Sequence, residues 1–486
     1  PLDEKPIPGS NGWLYEHAVC VAIIEVENLS AQPATAQVSL TVQPQAEIRP
    51  VFGGYAIAPG ANITASVHFE DAGWNGSVQG YTLSLTSALP PQEKRHLVLS
   101  LPAWQTEEEL SLPDVPSALA RTERYWQDVL REAAQIDIPE PALLNVIRAS
   151  QVHCLLAARN EEEGKYIAAW IASMAYGALE SEAHSFIRGL LLMGHHVFAK
   201  RALDYFVKRY NPAGFLTTGY TLMGTGWHLW TLGEYYALTR DAEWLRQIAP
   251  AVKNVCRWII RQREKTMRRT STGEPVPEYG LMPPGVIADW NAYAYYFTLN
   301  GYYYAGLLHA ARALADIGND GAADLLQEAQ RFGRDILRAY KNTQAQMPVI
   351  PLQNGTWIPG SPSQVHCPAP TAHLFPGEDA NRSWAYDVEA GAQQLVAQGV
   401  IPAQSREADW IIHYLEDVAF LESGWFDYPA DENRKDWFNL GGFSKVQPYY
   451  TRNPEIYAMR LDAKPFIRSY FNMLATLLNE ETLWLW

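Results

Sequence analysis

Four short clusters in the sequence combine acidic side chains with aromatic rings, and each lies at or just before a segment with helical periodicity. The first cluster runs from Trp170 to His184 and contains Glu180 and Glu182. A helix N-terminus directs free backbone N–H groups towards any ligand bound there. Glu180 and Glu182 are therefore candidate catalytic acids, with Trp170, Tyr176 and His184 as candidate ligand contacts. A capping or first-turn role explains either glutamate equally well.

The second and third clusters precede two aromatic helical segments. Trp227 and His228 follow a glycine-bearing loop that lacks the Gly-x-x-x-x-Gly-Lys spacing of a phosphate site, which disfavours a nucleotide and favours ring stacking on the ligand. Asp289, Trp290 and Asn291 follow a Pro-Pro-Gly loop. A single Asp before a helix is often an N-cap, but this setting also suits a sugar subsite, with Asp289 as a candidate acid.

The fourth cluster covers residues 375–387 and holds three carboxylates, one arginine and three aromatic rings. We expect Arg382, Trp384 and Asp387 to contact the substrate. A surface loop of solvated charge is the alternative for this segment.

The overall charge narrows the choice of ligand. With 38 Lys and Arg against 53 Asp and Glu, the chain has a formal net charge of −15 and no basic stripe, so we expect no nucleic-acid partner. No stretch approaches the roughly 20 uncharged apolar residues that span a bilayer, so we expect no membrane partner. The 17 Trp and 26 Tyr supply rings with a polar edge that could form the core or line a groove.

Several other catalytic patterns are missing from the sequence. It contains no Gly-x-Ser-x-Gly elbow, no His-Glu-x-x-His and no Cys-x-x-Cys. The histidines lie in different segments, so a three-histidine zinc site is open in principle but nothing favours it. We therefore expect no cofactor and no metal ion.

The chain changes its periodicity along its length. Residues 1–102 contain short β-branched runs with period-two alternation, which predict an antiparallel β-sandwich of about eight strands. Residues 103–116 are acidic and contain proline, as a linker would. Residues 117–486 form a succession of helical segments, among them Asn291–Ile317 and Pro454–Leu478.

Most of these helical segments fall into consecutive pairs. One member of a pair is rich in Gly, Trp, Tyr and His, as in the segment that begins at Trp227, and the other is amphipathic, as in the segment that begins at Asp241. Short connections make paired helices antiparallel neighbours. The predicted fold class is therefore mainly α, an (α/α)6 toroid of inner and outer helices preceded by the β-sandwich, with long loops over a central cavity.

A helix pair followed by a Gly-Leu-x-Pro-x-Gly loop carries a resemblance to a known superfamily. Here Trp244-Leu and Trp258-Ile lead to Tyr279-Gly-Leu-Met-Pro-Pro-Gly285. This arrangement resembles the six-hairpin glycosidases, the (α/α)6-barrel glycoside hydrolases that include α-L-rhamnosidases, trehalases, glucoamylases and processing α-glucosidases. The resemblance covers about residues 117–486, and an upstream β-sandwich is usual in that superfamily.

The resemblance implies a glycoside hydrolase that cleaves a terminal sugar or a short oligosaccharide with two carboxylates, with inversion as in most relatives. Asp289 lies where several relatives place the general acid. Glu180 and Glu182 precede a Gly-Leu-Leu-x-x-Gly segment, where relatives carry an acid or a sugar-binding residue. The last catalytic carboxylate of such enzymes lies near the C-terminal end of the barrel. Only Glu480 and Glu481 precede the end of the sequence there, so it is one of these two, with Glu481 as our candidate, or it lies beyond Trp486. The Arg-Asp-Glu core of rhamnosidases is absent.

Two other classes of function remain open, and both take a carbohydrate as partner. A polysaccharide lyase or sugar epimerase on the same toroid would need Arg or Lys to hold a uronate, and Arg382 is the only such residue in the four clusters. A non-catalytic carbohydrate-binding or scaffold protein would keep the rings and tolerate the loss of every acid.

Overall fold

The computed structural model describes the following residues of the chain: 19–69, 73–102, 106–110, 114–162, 164–169, 178–217, 224–287, 290–367, 389–414 and 452–485. The chain divides into two compact units, residues Pro1–Arg131 with Asn160–Lys165, and residues Glu132–Arg159 with Tyr166–Trp486. The boundary lies beyond the predicted linker at residues 103–116, because helix α1, Val115–Glu132, falls almost wholly in the first unit.

The first unit contains antiparallel strands, as the period-two runs predict. Their bounds are β1 Val19–Glu27, β2 Ala34–Thr41, β3 Glu47–Val51, β4 Gly54–Ala58, β5 Ala65–Phe69, β6 Trp74–Gln79, β7 Thr82–Leu89 and β8 Lys94–Pro102. One sheet has the order β1-β8-β5-β4-β3 and the other β2-β7-β6. Alternate side chains of both sheets, such as Val67, Leu85 and Leu97, form one hydrophobic core. The antiparallel N-terminal region is thus confirmed.

The second unit is mainly helical. Its helices are α2 Pro141–Leu156, α3 Glu180–Leu192, α4 His196–Val207, α5 Gly224–Thr239, α6 Ala242–Glu264, α7 Phe297–Asp316, α8 Ala322–Gln344, α9 Gln394–Ala397, α10 Arg406–His413, α11 Asn453–Arg460 and α12 Ala463–Leu477. A π-helical turn, Glu389–Gln393, runs directly into α9. The remaining short strands are β9 Ala158–Glu161, β10 Tyr166–Ala169, β11 Gly285–Ile287, β12 Trp290–Ala294, β13 Val349–Pro351, β14 Trp357–Pro359, β15 Leu478–Asn479 and β16 Trp484–Leu485.

Buried and amphipathic helices alternate along this unit. Helices α5 and α7 are buried on nearly every face, whereas α6 buries one stripe at helical spacing: Trp244, Leu245, Ala249, Val252, Val255, Cys256, Ile259 and Arg263. Packing follows the chain order: α3 contacts α5, α5 contacts α7, α7 contacts the π-turn and α9, and α9 contacts α11. We call these the inner helices. Gly226 of α5 and Gly306 of α7 let the two backbones approach closely, since a Cβ on Gly306 would lie 2.3 Å from the carbonyl oxygen of Gly226.

Two predicted helices were wrong in their extent. The segment expected as Asn291–Ile317 first forms strand β12, which pairs with β11, and helix α7 begins only at Phe297. The alternating aromatic residues of this segment fit a strand as well as a helix, and β11 supplies the partner. The segment expected as Pro454–Leu478 breaks at Leu461, which has a left-handed φ of 63°. Pro465 has no N–H to donate to the carbonyl of Leu461, so a continuous helix would lose that bond.

None of the helices described here contains a stretch long and apolar enough to cross a lipid bilayer.

Candidate active site

Glu180 and Glu182 lie in the first turn of inner helix α3. The preceding residue, Leu179, contributes no side-chain cap to this turn. Both side chains are buried, with Glu180 2% and Glu182 8% exposed. A carboxylate is rarely buried unless donors hold it, and the dipole of a helix start favours negative charge.

The space for the Glu180 side chain is provided by Gly224, the first residue of inner helix α5. A Cβ on Gly224 would lie 1.6 Å from Cγ of Glu180 and 2.7 Å from its Cδ. Tyr303 of inner helix α7 also lies near Glu180. Burial raises the pKa of Tyr303, and the negative charge of Glu180 raises it as well, whereas a hydrogen bond with Thr225 lowers it. The first turns of α3 and α5 and the second turn of α7 therefore lie close together, around a buried carboxylate.

We expect Gly224→Ala to displace Glu180 from this position. Because the new methyl group overlaps the Glu180 side chain, the substitution should destabilise the fold by about 1–3 kcal/mol and should lower any activity that uses Glu180. Gly189→Ala is the matched control, since a Cβ on this α3 glycine meets no atom within 4 Å and should stabilise the helix by about 0.5–1 kcal/mol. Thermal unfolding of both variants measures the difference, and an equal effect of the two would contradict the close contact.

Trp227 and Trp230 follow Gly224 in α5 and belong to a cluster of aromatic rings around Arg452, which we call the floor of the candidate site. The rings of Trp227 and Tyr302 stack with centroids 4.7 Å apart and an interplanar angle of 29°. The Arg452 guanidinium carbon lies 4.7 Å from the ring centroid of Trp230, 5.6 Å from that of Trp227 and 5.8 Å from that of Tyr302. Trp227 is fully buried. The structure therefore places this predicted contact residue in the packed floor of the site.

Two arginines and two glutamates form an ion-pair network at the same floor. Arg188 of α3 pairs with Glu234 of α5 at 2.7 Å and with Glu455 of α11 at 2.9 Å. Arg452 pairs with Glu455 at 2.8 Å. Although burial alone raises the pKa of Glu455, the charges of Arg452 and Arg188 lower it below its usual value. The network, which we call the central ion network, joins three inner helices with balanced charge.

The π-helical turn contributes to this floor through Gln393, which is fully buried. The Gln393 side-chain oxygen accepts a hydrogen bond from the backbone N–H of Arg452 at 3.0 Å. Arg452 directly precedes α11, so this bond fixes the point where the last inner helix begins. The sequence clusters did not include Gln393, Arg452 or the rest of the network. Two features of the sequence could have indicated the network: charged residues inside the inner helices, and an Arg-Asn-Pro-Glu run at a helix start.

The two predicted histidine contacts lie in the packing between inner and outer helices. Nε2 of His228 donates to the carbonyl oxygen of Leu203 at 3.2 Å, and its Nδ1 accepts from the Tyr210 hydroxyl. The ring of His184 lies 5.1 Å from that of His228 and 4.8 Å from that of Phe206. Among the residues that the structure describes, neither nitrogen of His184 has a hydrogen-bond partner.

These placements predict opposite effects for the two histidines. At pH 7, His184→Leu should leave stability unchanged or raise it by up to about 1 kcal/mol, because no hydrogen bond is lost. His228→Leu should lower it by about 1–3 kcal/mol, because the Leu203 carbonyl and the Tyr210 hydroxyl lose their partner. Thermal midpoints at pH 7 check both. A large loss of activity in His184→Leu with unchanged stability would instead indicate a substrate contact.

The same histidines predict a pH dependence. Burial lowers the pKa of His228 to about 3. Burial also lowers the pKa of His184 well below its usual value, and a positive charge on the neighbouring His228 lowers it further. Each ring is neutral when folded, whereas the unfolded chain takes up a proton near 6.5. The unfolded state therefore binds more protons below about pH 6.5, and stability falls as the pH falls from there towards 3. His184→Leu should lose less stability between pH 7 and pH 5 than the parent protein.

The loop that leads to Asp289 is anchored to helices on both sides. The Arg263 side chain donates to the carbonyl of Gly280 at 2.8 Å, and the Thr266 hydroxyl donates to that of Leu281 at 2.7 Å. The backbone N–H of Met282 donates to Oδ1 of Asn300 in α7 at 2.8 Å. Asp289 itself lies outside the described residues, between strands β11 and β12, whose Ile287 and Trp290 are paired. The element that begins at Trp290 is strand β12 and not a helix.

The other predicted site residues are not in contact with Glu180 in the described part of the chain, or they lie outside the described residues. Trp290 and Asn291 belong to strand β12, and their side chains are not described. The remaining candidates outside the described residues are Trp170, Tyr176, Arg382, Trp384 and Asp387. Glu481 lies in the exposed turn between β15 and β16, where its N–H donates to Oδ1 of Asn479 at 3.1 Å. Its carboxylate has no ion-pair partner in the described part of the chain.

Across the ranges given above, the structure contains no group of three or more His, Cys, Asp or Glu side chains that could hold a metal ion.

No protein-family model matches this sequence, and no curated protein matches it. The structure is similar to several solved structures. A bacterial glucoamylase in complex with acarbose has a TM-score of 0.48 and 11% identity, over 88% of this chain and 68% of that chain. A metal-independent α-mannosidase from Streptococcus pneumoniae has a TM-score of 0.42 and 11% identity, over 75% and 88%. The α-L-rhamnosidase from Dictyoglumus thermophilum has a TM-score of 0.41 and 9% identity, over 98% of this chain but only 45% of that enzyme.

Proposed function

We propose that this chain is a glycoside hydrolase that cleaves a terminal sugar or a short oligosaccharide, with inversion at the anomeric carbon. The observation that carries the proposal is the burial of Glu180 and Glu182 in the first turn of α3, beside the start of α5. Glycoside hydrolysis uses two carboxylates, one that protonates the leaving oxygen and one that activates water. A carboxylate at a buried helix start, together with a floor of aromatic rings, suits one of these two roles.

The fold that we propose for the helical unit is an (α/α)6 toroid, with a β-sandwich as the preceding domain. Two features support it. The helices alternate between buried and amphipathic, and the inner helices pack in chain order from α3 to α11. In such a toroid the starts of the inner helices gather at one end of the central axis. The predicted polar clusters precede those starts in the sequence, which would bring the carboxylates of different loops together.

In this proposal Asp289 is the general acid and Glu180 or Glu182 is the second carboxylate. Asp289 follows a loop that is hydrogen-bonded to α6 and α7, and a general acid must be held in a fixed position relative to the leaving group. Burial and a neighbouring carboxylate both favour the protonated form of an acid. Glu481, in its exposed turn, is the weakest of the four proposed catalytic residues.

The proposed substrate contacts come from the loops and strand before the inner helices, with the aromatic cluster as their floor. They are Trp170, Tyr176, Trp290, Asn291, Arg382, Trp384 and Asp387. Trp227, His184 and His228 are fully buried, so we assign Trp227 to the floor and the two histidines to helix packing.

A substrate screen tests the proposed function directly. Purified full-length protein is incubated with aryl glycosides of both anomers, including glucosides, mannosides and rhamnosides, and with plant and bacterial oligosaccharides. Proton NMR of the first product then gives its anomeric configuration. Hydrolysis with an inverted product supports the proposal in full, and a retained product overturns the inverting mechanism. Binding of an oligosaccharide without any hydrolysis across the panel would favour a carbohydrate-binding protein, and an unsaturated uronate product would favour a lyase.

A further inference from the structure

Trp357 is an exposed tryptophan on a small hairpin at the surface of the helical unit. Its side chain is 63% exposed. The other tryptophans whose side chains the structure describes are all buried or half-buried: Trp74, Trp126, Trp227, Trp230, Trp244, Trp258 and Trp410. A tryptophan ring gains a large apolar area when it is covered, so a ring left in solvent is available to a partner.

The hairpin that carries Trp357 is well defined. Strands β13 and β14 pair Ile350 with Ile358 and Pro351 with Trp357. Ile358 is buried, which anchors one face of the hairpin, while Val349 and Trp357 on the other face are exposed. The connecting turn is closed by Asn354, whose Oδ1 accepts from the backbone N–H of Thr356 at 2.9 Å and from its hydroxyl at 2.6 Å. The exposed ring is therefore held on a fixed base, which lowers the entropy lost on binding.

The hairpin lies in an uncharged stretch of an otherwise charged protein. Residues 342–377 contain no Asp, Glu, Lys or Arg, although 19% of the whole chain is charged. The connecting turn before Trp357 carries the amides of Gln353 and Asn354 and the hydroxyl of Thr356. A nucleic acid would require Lys or Arg, and a charged protein surface would require complementary charges. An aromatic ring with neutral amides and hydroxyls instead matches a neutral chain of hydroxyl groups.

The hairpin also lies near the start of inner helix α7. The segment after β14 pairs with the residues that lead into α7, because the N–H of Phe297 donates to the Ser363 carbonyl at 3.0 Å and the N–H of Val365 to the Tyr295 carbonyl at 3.1 Å. Phe297 is the first residue of α7. Tyr303, in the second turn of the same helix, lies near Glu180, so the hairpin is at the same end of α7 as the candidate active site.

We propose that the hairpin of strands β13 and β14 is a secondary binding surface for a neutral carbohydrate chain, with the Trp357 ring stacked on a sugar. This inference rests on the proposed function, because it takes the partner to be a carbohydrate. It adds that the protein holds long neutral glycans at a second place, away from the reacting bond. Short substrates, which reach only the candidate active site, do not use it.

Affinity electrophoresis and fluorescence titration test this proposal with defined probes. The gels contain soluble starch, galactomannan, yeast mannan or xylan, and the titrations use neutral oligosaccharides of two and six units from the polymer that retards the protein. We expect Trp357→Ala to weaken binding of the polymer and the hexamer by about tenfold and to leave binding of the dimer unchanged. Trp357→Phe should retain most of the affinity, because it keeps a ring.

Phe52→Ala is the matched control, since Phe52 is a fully exposed ring in the other unit, and it should bind like the parent protein. Unchanged retardation of Trp357→Ala, equal weakening for dimer and hexamer, or no polymer binding by the parent protein would each overturn the proposal. So would a parent dimer that Trp357→Ala converts to a monomer in sedimentation experiments, since a second copy would then cover the hairpin. A protein that hydrolyses nothing but shows the expected loss in Trp357→Ala would refute the proposed enzyme and support the surface.

Discussion

Asp289→Asn should lower the turnover number on an unactivated glycoside by about 10²- to 10⁴-fold, the usual contribution of a positioned general acid. The amide has nearly the shape of the carboxylic acid but cannot give a proton to the leaving oxygen. The loss should shrink on a dinitrophenyl glycoside, whose leaving group departs as a stable anion without protonation. The measurement is kcat for a series of leaving groups with the parent protein and the variant.

Glu180→Gln and Glu182→Gln should show which of the two glutamates activates water and which one binds the sugar. The residue that activates water should lose a similar factor in kcat when it becomes an amide, but the loss should be the same for every leaving group. The other glutamate should change KM more than kcat, as a ligand of the sugar would. Gly224→Ala, which displaces Glu180, should resemble Glu180→Gln if Glu180 activates the water.

Glu243→Gln is the matched control for this series. Glu243 also lies in the first turn of a helix, but that helix is the outer α6 and the residue is exposed. It should leave kcat and KM unchanged. Turnover close to the parent value in all three variants, Asp289→Asn, Glu180→Gln and Glu182→Gln, on a confirmed substrate would refute the proposed catalytic residues. A leaving-group series with the same slope for Asp289→Asn and the parent protein would refute the acid role alone.

Elements whose burial follows a simple period could be predicted from the sequence. The strands of the first unit alternate apolar and polar residues, and outer helices such as α6 and α8 carry one apolar stripe. Glu180 and Glu182 could be assigned to a helix start because the apolar period begins immediately after them. The segment 290–297 could not be assigned in this way, because tyrosines alternate with small residues there and the strand depends on the nearby β11.

The floor of the candidate site could not be predicted, because its members are far apart in the sequence. Arg188 and Glu455, which pair at 2.9 Å, are 267 residues apart. Neither lies in a cluster of candidate residues, and a charge on a helix is usually solvated. Only the folded structure brings these two charges together. The exposed Trp357 was missed for the opposite reason: a tryptophan in a hydrophobic run is usually buried.

Among the substitutions proposed here, we expect the largest loss of stability from a change in the central ion network. Arg452→Met should destabilise the helical unit by about 3–5 kcal/mol, the range found when one partner of a buried ion pair is removed. Arg452 is 2% exposed, and it contributes an ion pair to Glu455, a backbone hydrogen bond to Gln393 and its contact with three rings. Methionine keeps much of the side-chain volume and the backbone bond, so the loss reports mainly the missing charge. The thermal midpoint followed by near-ultraviolet circular dichroism measures it.

Arg331→Met is the matched control, because Arg331 also pairs with a glutamate three residues away, Glu328, but is 54% exposed. Exposed pairs contribute about 0–1 kcal/mol. Equal losses in Arg331→Met and Arg452→Met would contradict a special role of the network. Arg452→Met combined with Glu455→Gln should recover part of the loss, since the second change removes the carboxylate that the first leaves with only Arg188 as a partner.

The pH dependence distinguishes lost charge from lost packing. In the parent protein the pKa of Glu455 is lowered by Arg452 and Arg188 against the effect of burial, so its contribution is present above the usual pKa of a glutamate and is lost as the pH falls through the lowered value. In Arg452→Met, burial should raise that pKa, and protonation of Glu455 should relieve the unpaired charge. The stability difference between parent and Arg452→Met should therefore narrow from pH 7 to pH 4.5. A difference that stays constant over this range would mean that packing around the Trp227, Trp230 and Tyr302 rings, and not the ion pair, is what Arg452 contributes.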